Sequence, residues 1–237
     1  MWIGGIRPMN MKKIMAGALA SLLAVSMTVT AFAEDAAATG SETAKTPKTE
    51  LADGKQETVA DLSGGVEKVT IKGTAATVTG VDLNTTKLVF GTFETAKDTK
   101  TAKTVTVAGK ALKGSKATSL TIAATTKTVF NANALAGASK LTSVTVKSGK
   151  VQFKKNAFKT TKKLTKIYIK NIKKAKNITV AKGAFKKAGK SGNGKKITIY
   201  VSSKTSKKEL KKIKDKLKKA GFTGKVKRAA AAKKATK

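Results

Sequence analysis

The amino-acid sequence predicts a β-rich α/β solenoid, in which a short structural unit is repeated and stacked. Three observations support this prediction: a segment that recurs at near-constant spacing, an alternating run after each copy, and few large core residues. Hydrophobic residues make up 40% of the 237 residues and aromatic residues only 5%. We therefore expect a core built in narrow layers rather than as one large mass.

The recurring segment consists of an apolar residue, three small or polar residues, an alanine and a large apolar residue. Its four copies begin at Val107, Phe130, Phe153 and Val180, at spacings of 23, 23 and 27 residues. Each copy is followed by a run in which apolar and polar residues alternate, as is typical of a short strand with one buried face. Because one such unit cannot bury its own apolar face, neighbouring units must stack.

The alternating runs and the recurring segments together predict a shared core across residues 107–204. We expect this repeat core to contain Leu112, Leu120, Ile122, Phe130, Leu135, Leu141, Val144, Val146, Phe153, Phe158, Leu164, Ile167, Ile169, Phe185, Ile197, Ile199 and Val201.

Two units show the repeat pattern most clearly: Asn133-Ala-Leu135 with the run Leu141 to Val146, and Asn156-Ala-Phe158 with the run Leu164 to Ile169. They resemble the BspA-like leucine-rich repeats of bacterial surface proteins. The resemblance covers residues 105–222. Members of the family often carry Ile-Gly ahead of the alanine and a proline after the strand, where Lys, Thr and Ser stand here. The resemblance implies a short curved leucine-rich repeat, exported and used for adhesion or protein recognition, and it transfers no catalytic residue.

The segments before the repeats divide into two. Residues 34–65 show no sustained apolar period, so we predict a flexible linker. Residues 66–106 contain strand-like runs at Val66 to Ile71, Ala76 to Thr79 and Leu88 to Phe90. These runs predict an N-terminal β-cap or degenerate repeats.

After the repeats, residues 205–222 are predicted to form a C-terminal capping helix. Ser206 and Glu209 have the spacing of a capping box. Leu210, Ile213 and Leu217 fall on one helical face, which we expect to cover the last repeat. The opposite face is rich in lysine, and an alternative is that it contacts a membrane surface or an anionic polymer. Residues 223–237 are predicted to be a basic disordered tail.

The N-terminus has the features of a secretory signal peptide. Lys12 and Lys13 precede an apolar run, and Ala31 and Ala33 supply the small-x-small pattern before a predicted cleavage after Ala33. Residues 1–10 form a possible upstream extension of the 1–33 signal segment. Cleavage would leave no further stretch long and apolar enough to span a bilayer. The alternatives are a buried apolar helix and an uncleaved membrane anchor. The protein is therefore predicted to be secreted or held at the cell surface.

The charge is distributed unevenly along the chain. The formal net charge is +37, and residues 99–237 carry 40 basic residues but only two acidic ones, Glu209 and Asp215. Such a field attracts polyanions and is screened by salt. With only two arginines in the chain, Arg7 and Arg228, specific reading of nucleic-acid bases is not expected.

The absence of Cys and His removes thiol nucleophiles, His-dependent catalytic arrangements and most structural zinc sites. We predict no enzyme activity, no cofactor and no metal, although composition leaves a Ser–Lys pair open. The predicted function is adhesion or protein recognition at the bacterial cell surface, with a host or bacterial surface protein or glycan as partner. The alternative is non-specific binding of a polyanion such as cell-wall teichoic acid, an acidic glycan or extracellular DNA.

Overall fold

The computed structural model describes residues 56–62, 65–94, 99–123 and 125–230. The predicted signal segment with Ala31 and Ala33, the first part of the predicted linker and the end of the tail lie outside these residues. The described elements are, in chain order, β1 Gln56–Leu62, β2 Val66–Lys72, β3 Ala75–Val81, β4 Lys87–Phe90, β5 Thr92–Glu94, β6 Thr99–Thr101, β7 Thr104–Val107, β8 Ser119–Ile122, β9 Lys127–Phe130, β10 Ser143–Val146, β11 Lys150–Phe153, β12 Lys166–Ile169, the 3₁₀ turn Ala175–Asn177, β13 Ile178–Val180, β14 Thr198–Val201, α1 Lys207–Lys219 and β15 Lys225–Arg228.

The strands form two main sheets, in which parallel pairing dominates. The first sheet has the order β1-β2-β3-β7-β9-β11-β13, and the second has the order β15-β14-β12-β10-β8-β4. Only the β1–β2 and β2–β3 pairs of these sheets are antiparallel. Strands β5 and β6 form a separate antiparallel pair. The architecture is therefore β-rich and solenoid-like, with a single α-helix among the described residues.

Each repeat contributes two strands, where the sequence analysis identified one. The chain runs from a strand of the second sheet, such as β10, through a short loop to a strand of the first sheet, here β11. Residues 154–165, which include a turn at 155–160, then lead back to the second sheet at β12. The apolar residue that begins each recurring segment, such as Phe130, is the last residue of the strand in the first sheet.

Alternation within each strand determines which side chains enter the core. In β10, Val144 and Val146 are fully buried, while Ser143 and Thr145 are half-buried. Thr and Val are β-branched, and such residues favour the extended backbone of a strand. Parallel pairing in register places Val144 beside Leu120 on one side and Ile167 on the other, so the buried residues form continuous columns.

Phenylalanines of successive repeats contact one another in the core. The ring centroids of Phe153 and Phe158 lie 5.1 Å apart, and those of Phe158 and Phe185 lie 4.8 Å apart with nearly parallel planes. Offset or tilted aromatic contacts of this kind add to the energy of burial. The chain thus places its few aromatic residues where one repeat packs on the next.

Two strands lie where the sequence analysis predicted unstructured chain, and these predictions were wrong. Strand β1 lies within the predicted linker, residues 34–65, and pairs with β2 as a hairpin. Strand β15 lies within the predicted disordered tail and pairs with β14, and its Val226 is buried. Pairing of strands is made by backbone groups, so neither strand needed the strong apolar pattern that the prediction used.

Helix α1 replaces a strand at the end of the first sheet. It follows β14, contacts β13 and the 3₁₀ turn, and precedes the last strand of the second sheet. Ile213 and Leu217 of the helix are fully buried, and Leu210 packs against the core while remaining partly exposed. The helix begins after Ser206, whose hydroxyl accepts a hydrogen bond from the Glu209 N–H at 3.2 Å.

Candidate functional site

The outer surface of the second sheet carries a regular array of side chains, which we call the ladder face. It consists of the outward residues of four neighbouring strands, namely Ser119, Thr121, Ser143, Thr145, Lys166, Tyr168, Thr198 and Tyr200. Register pairing places Thr121, Thr145, Tyr168 and Tyr200 in one line across the strands. Because the strands are held by their buried neighbours, this face is a fixed surface.

Two tyrosines occupy adjacent positions of the ladder face. The ring centroids of Tyr168 and Tyr200 lie 4.9 Å apart with an interplanar angle of 15°, and both side chains are half-buried. Neighbouring strands are about 4.8 Å apart, so the stack follows directly from parallel pairing of β12 with β14. Partly exposed aromatic side chains offer apolar ring surface and a hydroxyl together, a combination that is enriched in binding surfaces.

Threonines that directly precede strands of the second sheet form hydrogen bonds between successive repeats. The hydroxyl of Thr142 donates to the carbonyl of Thr118 at 2.8 Å, and that of Thr118 donates to the carbonyl of Thr86 at 3.1 Å. The Thr165 hydroxyl makes the same bond to Thr142 at 3.3 Å. These bonds tie each repeat to the one before it, next to the ladder face.

The lysines of the described repeats have little opposing charge. Across the part of the chain whose side chains are described, the one ion pair joins Lys212 Nζ to Glu209 Oε1 at 3.2 Å. The same carboxylate accepts a hydrogen bond from the Ala175 N–H at 2.6 Å, and this bond and the contact with Lys212 lower the pKa of Glu209. The lysines of the repeats therefore keep their positive charge available to a partner.

The structure buries all the residues that the sequence analysis assigned to the repeat core, each at 1% exposure or less. Of the helix-cap residues, Ser206 forms the N-cap and Ile213 and Leu217 are buried. The capping box was only partly right, because the side chain of Glu209 bonds the Ala175 N–H of the 3₁₀ turn. That carboxylate joins the helix to the repeats.

Sequence reasoning did not single out Tyr168 and Tyr200 as surface residues. A signal was present, because each tyrosine is the central residue of its alternating run, between two residues predicted for the core. Residues between two inward positions of a strand must face outward. Only parallel pairing in register, however, makes the two rings neighbours.

Three buried hydroxyls form a hydrogen-bonded cluster. The Ser148 Oγ lies 2.5 Å from the Oγ1 atoms of both Thr125 and Thr128, and all three residues are buried. The cluster holds the loop after β10 to the loop after β8. Among the described residues, no group of three or more His, Cys, Asp or Glu side chains is placed to hold a metal ion.

Comparison with known proteins adds no relative: no protein-family model, no curated protein and no solved structure matches this chain. Within the described residues, the helix is too short and too polar to cross a membrane.

Proposed function

We propose that this chain is an exported, non-enzymatic recognition protein of the bacterial cell surface, which binds a surface protein or glycan through the ladder face. The observation that carries the proposal is the stacked pair Tyr168 and Tyr200, held half-exposed on a rigid parallel sheet. Aromatic anchors on a preorganised surface lose little entropy on binding.

The type of repeat and the caps at its two ends are part of the same proposal. The repeats are leucine-rich repeats resembling the BspA-like type, β2 and β3 act as an N-terminal cap, and α1 acts as a C-terminal cap. Its support is the 23-residue period together with two buried strands per repeat. Repeat proteins need such caps because their terminal layers would otherwise expose apolar surface.

The decisive experiment replaces both tyrosines with the residue that the chain itself places at this position in β8 and β10. We expect Tyr168→Thr with Tyr200→Thr to leave the fold intact, because Thr121 and Thr145 fill the same register position. Binding to mucin, collagen and purified bacterial cell walls is measured by surface plasmon resonance. Loss of two anchors should weaken the strongest of these interactions by about tenfold or more.

The matched control changes two half-buried or exposed residues on the outer side of the first sheet, Gln152→Ala with Thr179→Ala. It should bind like the unaltered protein. Equal binding by the tyrosine variant and the unaltered protein would contradict the proposal, as would the absence of any binding at low salt.

A second candidate function is binding of an anionic polymer through the lysine-rich half. The observation that favours it is the near-absence of carboxylates to pair with the lysines of residues 99–237. Neutralising polymer charges releases counterions, so the affinity for a poly(glycerol phosphate) wall polymer should fall linearly with salt on logarithmic axes. Affinity that persists at high salt would instead favour shape recognition by the ladder face.

Export and surface retention are tested on the cells that make the protein. The culture is separated into wall, membrane and medium fractions, and each fraction is washed with salt. Release from the wall by salt would support electrostatic retention, whereas a protein confined to the cytoplasm would refute export.

A further inference from the structure

A basic cleft opens at the carboxyl end of the second sheet, between the loops that follow β12 and β14. Its volume is about 400 Å³. Polar and basic residues alone line it: Lys170, Asn171, Lys173, Ser202, Ser203 and Lys204. No carboxylate and no apolar side chain is among them, so the cleft is built for a negatively charged polar group.

The insertion that breaks the 23-residue period creates this cleft. Between β10 and β11 the loop spans only residues 147–149, whereas residues 170–177 separate β12 from β13. The longer loop is anchored at its centre, because Ile172 is fully buried and its carbonyl accepts from the Thr205 hydroxyl at 3.2 Å. Its Asn171 amide also donates to the Lys147 carbonyl. The longer loop is thus held to the loop after β14 and to the preceding repeat.

The loop after β14 forms the second wall of the cleft with Ser202, Ser203 and Lys204, and it too is held by a hydrogen bond. Ser202 is 7% exposed, and its Oγ accepts from the Lys204 N–H at 3.3 Å. This bond leaves the hydroxyl hydrogen available to donate to a ligand oxygen. The loops that follow β12 and β14 therefore both present donors to the cleft: ammonium groups from both loops and serine hydroxyls from the second.

Among the residues whose side chains are described, no carboxylate pairs with the three ammonium groups of the cleft. The sequence contains no acidic residue between Thr99 and Lys208, and Glu209 is engaged by Ala175 and Lys212. Lysine binds phosphate and similar oxyanions as a point charge. An oxyanion in the cleft would relieve the repulsion among the lysines and satisfy the serine hydroxyls.

We propose that this cleft is the subsite at which the protein binds a tetrahedral oxyanion, phosphate or sulfate, carried on an extended polymer. The proposal deepens the polyanion-binding candidate and rests on it. Lys170 and Ser202 directly follow β12 and β14, two residues after Tyr168 and Tyr200, or about 7 Å along extended chain. One polymer can therefore occupy the cleft and lie across the stacked rings.

The test compares two variants that lose the same charge. The cleft variant carries Lys170→Gln, Lys173→Gln and Lys204→Gln. The control variant carries Lys140→Gln, Lys162→Gln and Lys186→Gln, three exposed residues outside the cleft. Affinities for tripolyphosphate, inorganic sulfate, poly(glycerol phosphate) and dextran sulfate are measured by calorimetry at low salt, after thermal melts have shown that both variants are folded.

We expect the cleft variant to lose about tenfold or more in affinity, as for removal of charge-assisted hydrogen bonds, and the control variant to lose much less. A preference between the phosphate and sulfate polymers then identifies the source of the anion. Equal losses in the two variants would overturn the subsite while leaving general polyanion binding in place. Failure of the unaltered protein to bind either polymer would refute the polyanion function together with the subsite.

Discussion

At the residue scale, the turns of successive repeats are set by left-handed backbone positions that recur in register. Lys110, Asn133, Asn156 and Gly183 all have φ between 58° and 76°. Asparagine and glycine adopt this conformation most readily. This preference explains why they recur just before the alanine that each repeat contains. Backbone bonds join these turns, as in the Asn156 N–H donating to the Gly183 carbonyl at 3.1 Å.

Two glycines in the loop before β14 give a matched test of packing. Gly192 and Gly194 have nearly equal φ, 72° and 76°, but a Cβ at Gly194 would lie 2.4 Å from Phe222 Cε2, whereas a Cβ at Gly192 meets nothing within 4 Å. Gly194→Ala should therefore cost about 2 kcal/mol more in the free energy of unfolding than Gly192→Ala. Chemical denaturation measures both, and equal costs would show that Phe222 does not pack against this loop.

At the scale of single elements, helix α1 ends the first sheet by supplying side chains to the open edge of β13. Lys216 Nζ donates to the carbonyls of Ala175 and Ile178, each at 2.9 Å. The Glu209 carboxylate accepts from the N–H of Ala175, in the 3₁₀ turn that directly precedes β13. An exposed strand edge invites pairing with other chains, and the helix closes this one.

Removal of the lysine head group tests this role. Lys216→Met keeps most of the side-chain length but leaves the two carbonyls without their charged donor, so we expect a loss of about 1–2 kcal/mol in the free energy of unfolding. Lys211→Met, at an exposed position of the same helix, should cost much less. Light scattering should show more association for Lys216→Met because the strand edge is opened, and identical behaviour of the two variants would contradict the assignment.

The Glu209 contact predicts a dependence of stability on pH. The hydrogen bond from Ala175, followed by Lys212, lowers the pKa of Glu209 below its ordinary value of 4.5 in the folded protein. Its stabilising contribution is therefore complete above the ordinary value and is lost as the pH falls through the folded pKa. Between about pH 6 and about pH 3, the unaltered protein should lose more stability than Glu209→Gln, by denaturant titration. Asp215→Asn, an exposed carboxylate on the same helix, is the control, and parallel pH curves for the unaltered protein and Glu209→Gln would exclude the contact.

At the scale of the described repeats, stacked layers continue to the C-terminal end without a recognisable repeat motif. The Gly183 N–H donates to the Ala220 carbonyl at 3.0 Å, Phe222 packs 4.8 Å from Phe185, and Val226 pairs beside Ile199. The turn that makes this possible has Gly221 at φ 87° and a bond from the Phe222 N–H to the Leu217 carbonyl at 3.0 Å, as in a Schellman motif. The chain after the helix therefore forms one more layer.

The charge of the whole molecule predicts that salt stabilises it. Repulsion among the lysines opposes folding, and the residues whose side chains are described hold one ion pair, Lys212 with Glu209, that salt would weaken in return. Raising NaCl from about 0.15 M to about 1 M shortens the screening length from about 8 Å to about 3 Å, so Tm should rise. The rise in Tm should be smaller in the control variant that carries Lys140→Gln, Lys162→Gln and Lys186→Gln, because it has fewer positive charges. A Tm that falls as salt is added would contradict this account.

Local patterns in the sequence determined much of the fold. Alternation identified the strands of the second sheet other than β15, the period of 23 residues located the buried Phe and Leu residues, and Ser206 marked the start of the helix. These features depend on which face of a short segment is apolar, so the order of residues is enough to reveal them. The unequal charge of the two halves is likewise a property of the sequence alone.

Only the tertiary structure decided which segments pair. Strands β1 and β15, the partner of Glu209 and the stack of Tyr168 on Tyr200 all depend on contacts between segments brought together by folding. The physical reason is that ladder bonds join backbone groups that every residue except proline carries in full. Residue types therefore record which face is buried but not which neighbour lies alongside, and the ladder face and the basic cleft arise from that neighbour.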